Sequence, residues 1–255
     1  MSSRTETRTL ECDPDARVRV ENDAGRIEVV AWEHDRVELT VERHAADEAD
    51  LDKLRVEFSG SRGEVLVTYT TTEPLVDGWV DFHVKCPRVA SLDLHNASGE
   101  VLVSGFHGPS RASTASGTIR AARMSGTSTF TSASGAISGA AMEGTVYARS
   151  ASGSVTLHGE LTGNNRVETA SGAIDIDAVN GSVDARSASG KIDVAGRLRG
   201  RCSLRTVSGD IHVRLLPGSD VSVRSRGARE PVETRGTGLL VLETTSGEIE
   251  LSPAN

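Results

Sequence analysis

ARSASGSVTLHGELTGNNRVETASGAIDIDAVNGSVDARSASGKIDV, residues 148–194, says one thing three times. Ser-Gly recurs at Gly153, Gly172 and Gly190. Two residues after each glycine stands a β-branched residue (Val155, Ile174, Ile192), and four after it another aliphatic one (Leu157, Ile176, Val194). Alternation with a period of two marks a strand with one buried face. A repeat of 18 or 19 residues is too short for a helix pair or a propeller blade and points to a solenoid.

The same unit extends in both directions. Its glycines are Gly99, Gly117, Gly135, Gly153, Gly172, Gly190, Gly209 and Gly247, at steps of 18, 18, 18, 19, 18, 19 and 38 residues. Five residues before them a second apolar column holds Leu94, Ala112, Phe130, Ala148, Val167, Ala185, Leu204 and Leu242, which adds a second strand to each repeat. Midway glycines (Gly108, Gly126, Gly144, Gly163, Gly181, Gly200) mark the other corner. Tolerance of positive φ accounts for glycine at both corners. The expected fold is therefore all-β: a single-stranded, right-handed parallel β-solenoid of 18–19-residue coils, each strand pairing with its copies at about 4.8 Å. The step of 38 reads as two coils. In the first of them Val221, Val223 and Ser225 keep register, Ala228 takes the glycine slot, and Glu230 and Pro231 interrupt the next strand, which predicts a bulged or looped turn.

Ahead of Asn96 the pattern changes. Residues 17–43 alternate around Asp23-Ala24-Gly25, residues 45–54 read as a short acidic helix, and three further strands end at Pro87. Most aromatics lie here: Trp32, Phe58, Tyr69, Trp79 and Phe82. The division expected is an extended or disordered stretch at 1–14, an irregular N-terminal β cap with one short helix at 15–95, and the repeats at 96–255. Solenoids need such caps to blunt an open sheet edge.

Composition narrows the function. Aromatics make up 3% and glycines number 26, so burial must come from many small contacts along a thin interior. The net charge of −8 argues against a nucleic-acid groove. Cys12, Cys86 and Cys202 are odd in number and far apart, against a disulfide framework or zinc site. With no apolar leader and no run of about 20 apolar residues, the expectation is a cytoplasmic protein without a transmembrane segment, cell-surface association remaining open.

The units TASGTI, SASGAI, SASGSV, TASGAI, SASGKI, TVSGDI and TTSGEI, with the leading ENDAGRIEVVAWEHDRVEL and FHVKCPRVASLDLHNASGEV, resemble a bacterial β-strand-repeat family of unknown function, called a "putative adhesin" family. The resemblance spans roughly residues 15–251. It implies a right-handed β-solenoid and carries over no enzyme site.

Three sets of residues invite chemistry. Ser98, Ser116, Ser134, Ser152, Ser171, Ser189, Ser208 and Ser246 repeat at each corner; equivalent nucleophiles without a GxSxG elbow read as a stacked hydroxyl ladder, not a catalytic set. The seven histidines (His34, His44, His83, His95, His107, His158, His212) do not follow the coil period and read as surface groups. Asp175 and Asp193 share an outward column, close enough for a calcium ion or a glycosidase-like pair. Arg149, Arg186 and Arg205 in the flanking column favour simple charge compensation over a metal. No cofactor is implied. The leading reading is a non-catalytic scaffold or interaction module whose partner is a protein or glycan. A filament assembled through the solenoid ends, a form of homo-oligomer, and a carbohydrate-active β-helix enzyme are the alternatives.

Overall fold

The computed structural model describes residues 1–71, 77–226 and 236–252. The described residues are all-β with one short helix, and the chain divides into two compact units, Met1–Met124 and Ser125–Asn255. Among the described residues no helix is long and apolar enough to cross a membrane.

The first unit comprises β1 (Ser2–Glu11), β2 (Arg17–Ala24), β3 (Ile27–Trp32), β4 (Arg36–Ala45), α1 (Glu48–Leu51), β5 (Leu54–Gly60), β6 (Glu64–Thr71), β7 (Gly78–Pro87), β8 (Ser91–Ser98), β9 (Val101–Ser104), β10 (Ser110–Thr114) and β11 (Ile119–Met124). They form two stacks. One runs β5-β6-β2-β8-β10, antiparallel at its first join and parallel thereafter. The other runs β1-β4-β7-β3-β9-β11, antiparallel at its first two joins and parallel beyond.

Space therefore departs from chain order. β2 and β3 make a complete coil around Gly25, seated between β6–β7 and β8–β9. Asn22 pairs with Asn96, Ala24 with Ser98 and Ile27 with Val101. Asp23-Ala24-Gly25 is thus a corner of the same kind as Ala97-Ser98-Gly99. An excursion through residues 36–90 separates the two in sequence and hides their kinship from any search at a fixed period. The helix is shorter than the 45–54 expected, because Ala45 ends β4 and Leu54 opens β5, and Leu51 is the one buried residue of the helical turn.

The second unit comprises β12 (Thr127–Ser132), β13 (Ile137–Met142), β14 (Thr145–Ser150), β15 (Val155–Thr169), β16 (Ile174–Ser187), β17 (Ile192–Leu198), β18 (Arg201–Thr206), β19 (Ile211–Leu215), β20 (Val221–Arg226), β21 (Gly238–Glu243) and β22 (Ile249–Ser252). Every pairing is parallel. β15 and β16 each run through both strands of a coil, with an irregularity after His158 and Ile176. Val155 pairs with Ile174, Ile174 with Ile192, Ile192 with Ile211, and Ile211 with Ile249.

That last pair corrects the reading of the 38-residue step as two coils. β18 pairs directly with β21, Leu204 opposite Leu242, and β20 lies outside β21 as an added edge strand. The step is one rise of the stack. Val221, Val223 and Ser225 do form a strand, but they pair with Gly238, Leu240 and Leu242 rather than with the coil that precedes them. Ala228, Glu230, Pro231 and the terminal Pro253 lie outside the described residues.

The interior is built from the apolar columns. Ile119, Ile137, Val155, Ile174, Ile192 and Ile211 are at most 1% exposed, and Phe106, Met124, Phe130 and Met142 are the larger side chains buried with them. Burying such a side chain contributes about 1.5–3 kcal/mol. Small residues facing large ones, such as Ala148 and Ala185 flanking Val167 along their column, let a narrow interior pack without large aromatics.

Two separate demands place glycine at the corners. At the midway corner Gly144 has φ 98, a conformation costly for any residue with a Cβ. At the Ser-Gly corner positive φ is confined to Gly25 and Gly99. From Gly117 onward the requirement is closeness: a Cβ on Gly190 would sit well under 3.0 Å from the carbonyl oxygen of Gly172. Stacking at one rise per coil leaves room for a hydrogen there and nothing larger.

Candidate interaction faces

The residue three positions before each corner glycine holds the corner together. From Thr114 on it always carries a hydroxyl: Thr114, Ser132, Ser150, Thr169, Ser187, Thr206 and Thr244, all buried. The amide of Gly172 donates to Thr169 Oγ1 at 3.0 Å, and that hydroxyl donates to the carbonyl of Gly153, one coil back, at 3.1 Å. Ser150 and Ser187 repeat both bonds. At the Gly25 and Gly99 corners asparagines, Asn22 and Asn96, stand in the same place, Asn96 reaching the Gly25 carbonyl at 2.8 Å. Each group spans two coils and satisfies backbone atoms that would otherwise be buried and unpaired.

The serines adjoining the glycines lie elsewhere. Ser98, Ser116, Ser134, Ser152, Ser171, Ser189, Ser208 and Ser246 are all exposed at the outer edge of the corner. Their backbone, not their hydroxyl, carries the stacking: the amides of Ser171, Ser189 and Ser208 donate to Ala151, Ala170 and Ala188 of the preceding coil. Ser98 additionally donates its hydroxyl to the Asp23 carbonyl. The hydroxyl present at the first position of every TASG-type unit was the available signal for the buried ladder.

Two faces of the second unit present polar side chains in register. On β16, β17, β19 and β22, Asp175, Asp193, His212 and Glu250 succeed one another as direct pairing partners. They line a shallow groove of about 400 Å³ together with His158, Asp177 and Arg214. Asp193 is met by Lys191 Nζ at 3.1 Å and His212 Nδ1 at 3.4 Å. His212 Nε2 also lies 3.8 Å from Glu250 Oε2, and Arg214 lies 3.9 Å from Asp177. Asp175 and Asp193 are thus neighbours, and Lys191 and Arg214 offset part of the acidic charge of the groove. The arginines Arg186 and Arg205 sit on the other strand stack, paired with Asp184 and Glu243.

That second stack carries a groove of about 380 Å³, which the sequence reading missed. Tyr147, 41% exposed, stands in column with Arg166, Asp184, Ser203 and Val241, flanked by Asn164, Ser182, Arg186 and Arg201. Arg166 holds Glu168 and Arg186 holds Asp184, so ion pairs line the groove on one side of the phenol ring, Arg166 being the direct neighbour of Tyr147. The signal was the column six residues before each glycine, where Tyr147 is the aromatic exception.

The histidines are dispersed. His83 lies 2.9 Å from Glu28, His95 bridges Asp93 and Ser113, and His34 meets the edge of Trp32. Burial works against ionisation of Asp93, but hydrogen bonds and charge from Arg17 and His95 hold its carboxyl below the usual range.

Comparison with known proteins completes the description. Curated proteins give no match. Among solved structures, a protein of Parabacteroides distasonis ATCC 8503 named a "putative adhesin" is 10% identical, aligned over 97% of each chain with a TM-score of 0.59. A second protein of that organism, named a "putative lipid binding protein", is 13% identical over 97% of each chain with a TM-score of 0.50. At such identities the likeness is one of fold, a solenoid-like repeat of strands. A family model, Toastrack DUF4097, matches residues 17–226 from the first parallel coil to the added edge strand, and the chain belongs to that family.

Proposed function

We propose that the chain is a non-catalytic interaction module that binds a protein or glycan partner through the exposed faces of a right-handed parallel solenoid. The groove around Tyr147 carries this reading. An exposed aromatic ring at one end of a groove lined by Asn164, Arg166, Asp184 and Arg186 offers an apolar platform beside hydrogen-bonding groups, the chemistry of sugar or peptide docking. The family and its structural neighbours agree with a binding role. Antiparallel β1, β4 and β5 flank the parallel coils of the first unit, and we infer that they cap its edge against further strand pairing.

A glycan array probed with the labelled chain, and a cross-linked capture from the producing organism, test the reading. Binding that falls at least about thirtyfold in Tyr147→Ala supports it, since hot-spot aromatics cost about 2 kcal/mol or more when truncated. Ligand bound equally by Tyr147→Ala, or glycan cleaved by the chain, would contradict it.

A further inference from the structure

We propose that Glu42, His44 and Asp81 form a binding site for a divalent first-row transition cation, Zn²⁺ being the best match. β4 and β7 run antiparallel with Glu42 opposite Asp81 and His44 opposite Trp79, so all four side chains share one face of the pair. His44 Nε2 lies 3.3 Å from Asp81 Oδ2 and 3.9 Å from Glu42 Oε2, and the three donor atoms all lie within 4.8 Å of one another. Ligands about 2.0–2.2 Å from a tetrahedral ion are themselves separated by about 3.4 Å. Small side-chain adjustments close this set around one ion.

An independent observation points the same way. His44 Nε2 is shielded from solvent and has no hydrogen-bond partner among the described residues. It lies close to Asp81 without meeting hydrogen-bond geometry, so a solvent-shielded ring nitrogen faces two carboxylates. Such an atom normally finds a partner; a cation would accept the imidazole lone pair and neutralise both acids.

The surroundings hold the ligands in place. His44 stacks on Trp79, ring centroids 4.9 Å apart and planes inclined by 17°, which fixes the imidazole. Asp81 Oδ1 accepts the backbone N–H of Arg26 at 2.6 Å, leaving Oδ2 to face the site. The nearby cations are engaged elsewhere: Arg26 with Glu100, and Arg43, on the buried face, with Glu6 and the Leu54 carbonyl. One imidazole and two carboxylates suit Zn²⁺ and its neighbours better than Ca²⁺ or Mg²⁺, which prefer all-oxygen shells. Water would complete the coordination. An ion here would tie β4 to β7 across the antiparallel join.

The test uses the full untagged chain, dialysed against chelator and titrated with Co²⁺ and Zn²⁺. The expected result is one Co²⁺ per chain with visible d–d absorption, displaced by one equivalent of Zn²⁺. His44→Ala should abolish uptake, Asp81→Asn should weaken it by about tenfold or more, and His107→Ala, at an exposed histidine, should leave it unchanged. Should His44→Ala fail to fold by circular dichroism, Glu42→Gln is read instead, and weakened uptake supports the site. Absence of stoichiometric uptake by the wild type overturns it, as does undiminished uptake by a folded His44→Ala, Asp81→Asn or Glu42→Gln.

Discussion

At the scale of residues, the fold turns on what cannot be added. A methyl group on Gly190 meets the Gly172 carbonyl, and neither backbone can retreat without breaking the ladder. Gly190→Ala should cost about 3 kcal/mol or more, as severe overpacking does. Gly200→Ala has open space around it but φ 69, and should cost about 1 kcal/mol. Gly63, with open space and no positive φ, should tolerate alanine with a change of about 0.5 kcal/mol or less. Thermal or urea unfolding of the three variants measures the order. The buried hydroxyls make a second case: Thr169→Val removes one acceptor and one donor at once, stranding the Gly172 amide and the Gly153 carbonyl. Its expected cost is about 1–3 kcal/mol. Glycine and the apolar columns were legible because they recur at a fixed offset. The stacking reason for glycine was not, since positive φ and close approach select the same residue.

At the scale of elements, one buried arginine clips three strands. Arg43 of β4 donates to the Leu54 carbonyl at the start of β5 at 2.8 Å and to Glu6 of β1 at 2.7 Å. Burial opposes ionisation of Glu6, yet the bonds and charges of Arg43 and Arg8 hold its carboxyl below the ordinary 4.5. A depressed carboxyl adds stability above its unfolded pKa and loses it as pH falls through the folded value. Protection factors of the β1 amides, rates being referred to the intrinsic rate at each pH, should therefore fall as pH drops below about 4.5, and Glu6→Gln should remove that dependence; equal pH response in both proteins would refute the clip. The cysteines act at the alkaline end. Burial, aided by Asp35, Asp13 and Glu11, raises Cys12 from 9.0 to about 11, and burial raises Cys86 and Cys202 also. An acid whose folded pKa is raised stabilises the fold below its unfolded pKa and loses that contribution as pH climbs, here between about 9 and 11. At pH 8 iodoacetamide should spare all three thiols in the native chain and modify all three in denaturant. The strands themselves were legible from alternation. The exchange of order at β2–β3 and at β20 was not, because pairing partners across long excursions leave no period to detect.

At the scale of the whole molecule, the account rests on one rule within the second unit: successive Ser-Gly corners stand one rise apart, whether 18, 19 or 38 residues separate them. The sequence displayed the rule for the short steps and misled at the long one, where arithmetic favoured two coils and β21 instead pairs directly on β18. It also showed the polar columns without showing which of them surround a groove, since curvature between stacks is not a property of spacing. Spin labels on the exposed corner serines measure the rise directly, because the buried native thiols remain unlabelled. From Ser134 the corners at Ser152, Ser171, Ser189, Ser208 and Ser246 follow in turn. At about 4.8 Å per step, Ser134→Cys paired with Ser208→Cys should span about 19 Å, and Ser134→Cys paired with Ser246→Cys about 24 Å. A difference of one rise between the two pairs is the predicted result. A difference of two rises, or none that scales with corner number, would contradict the account.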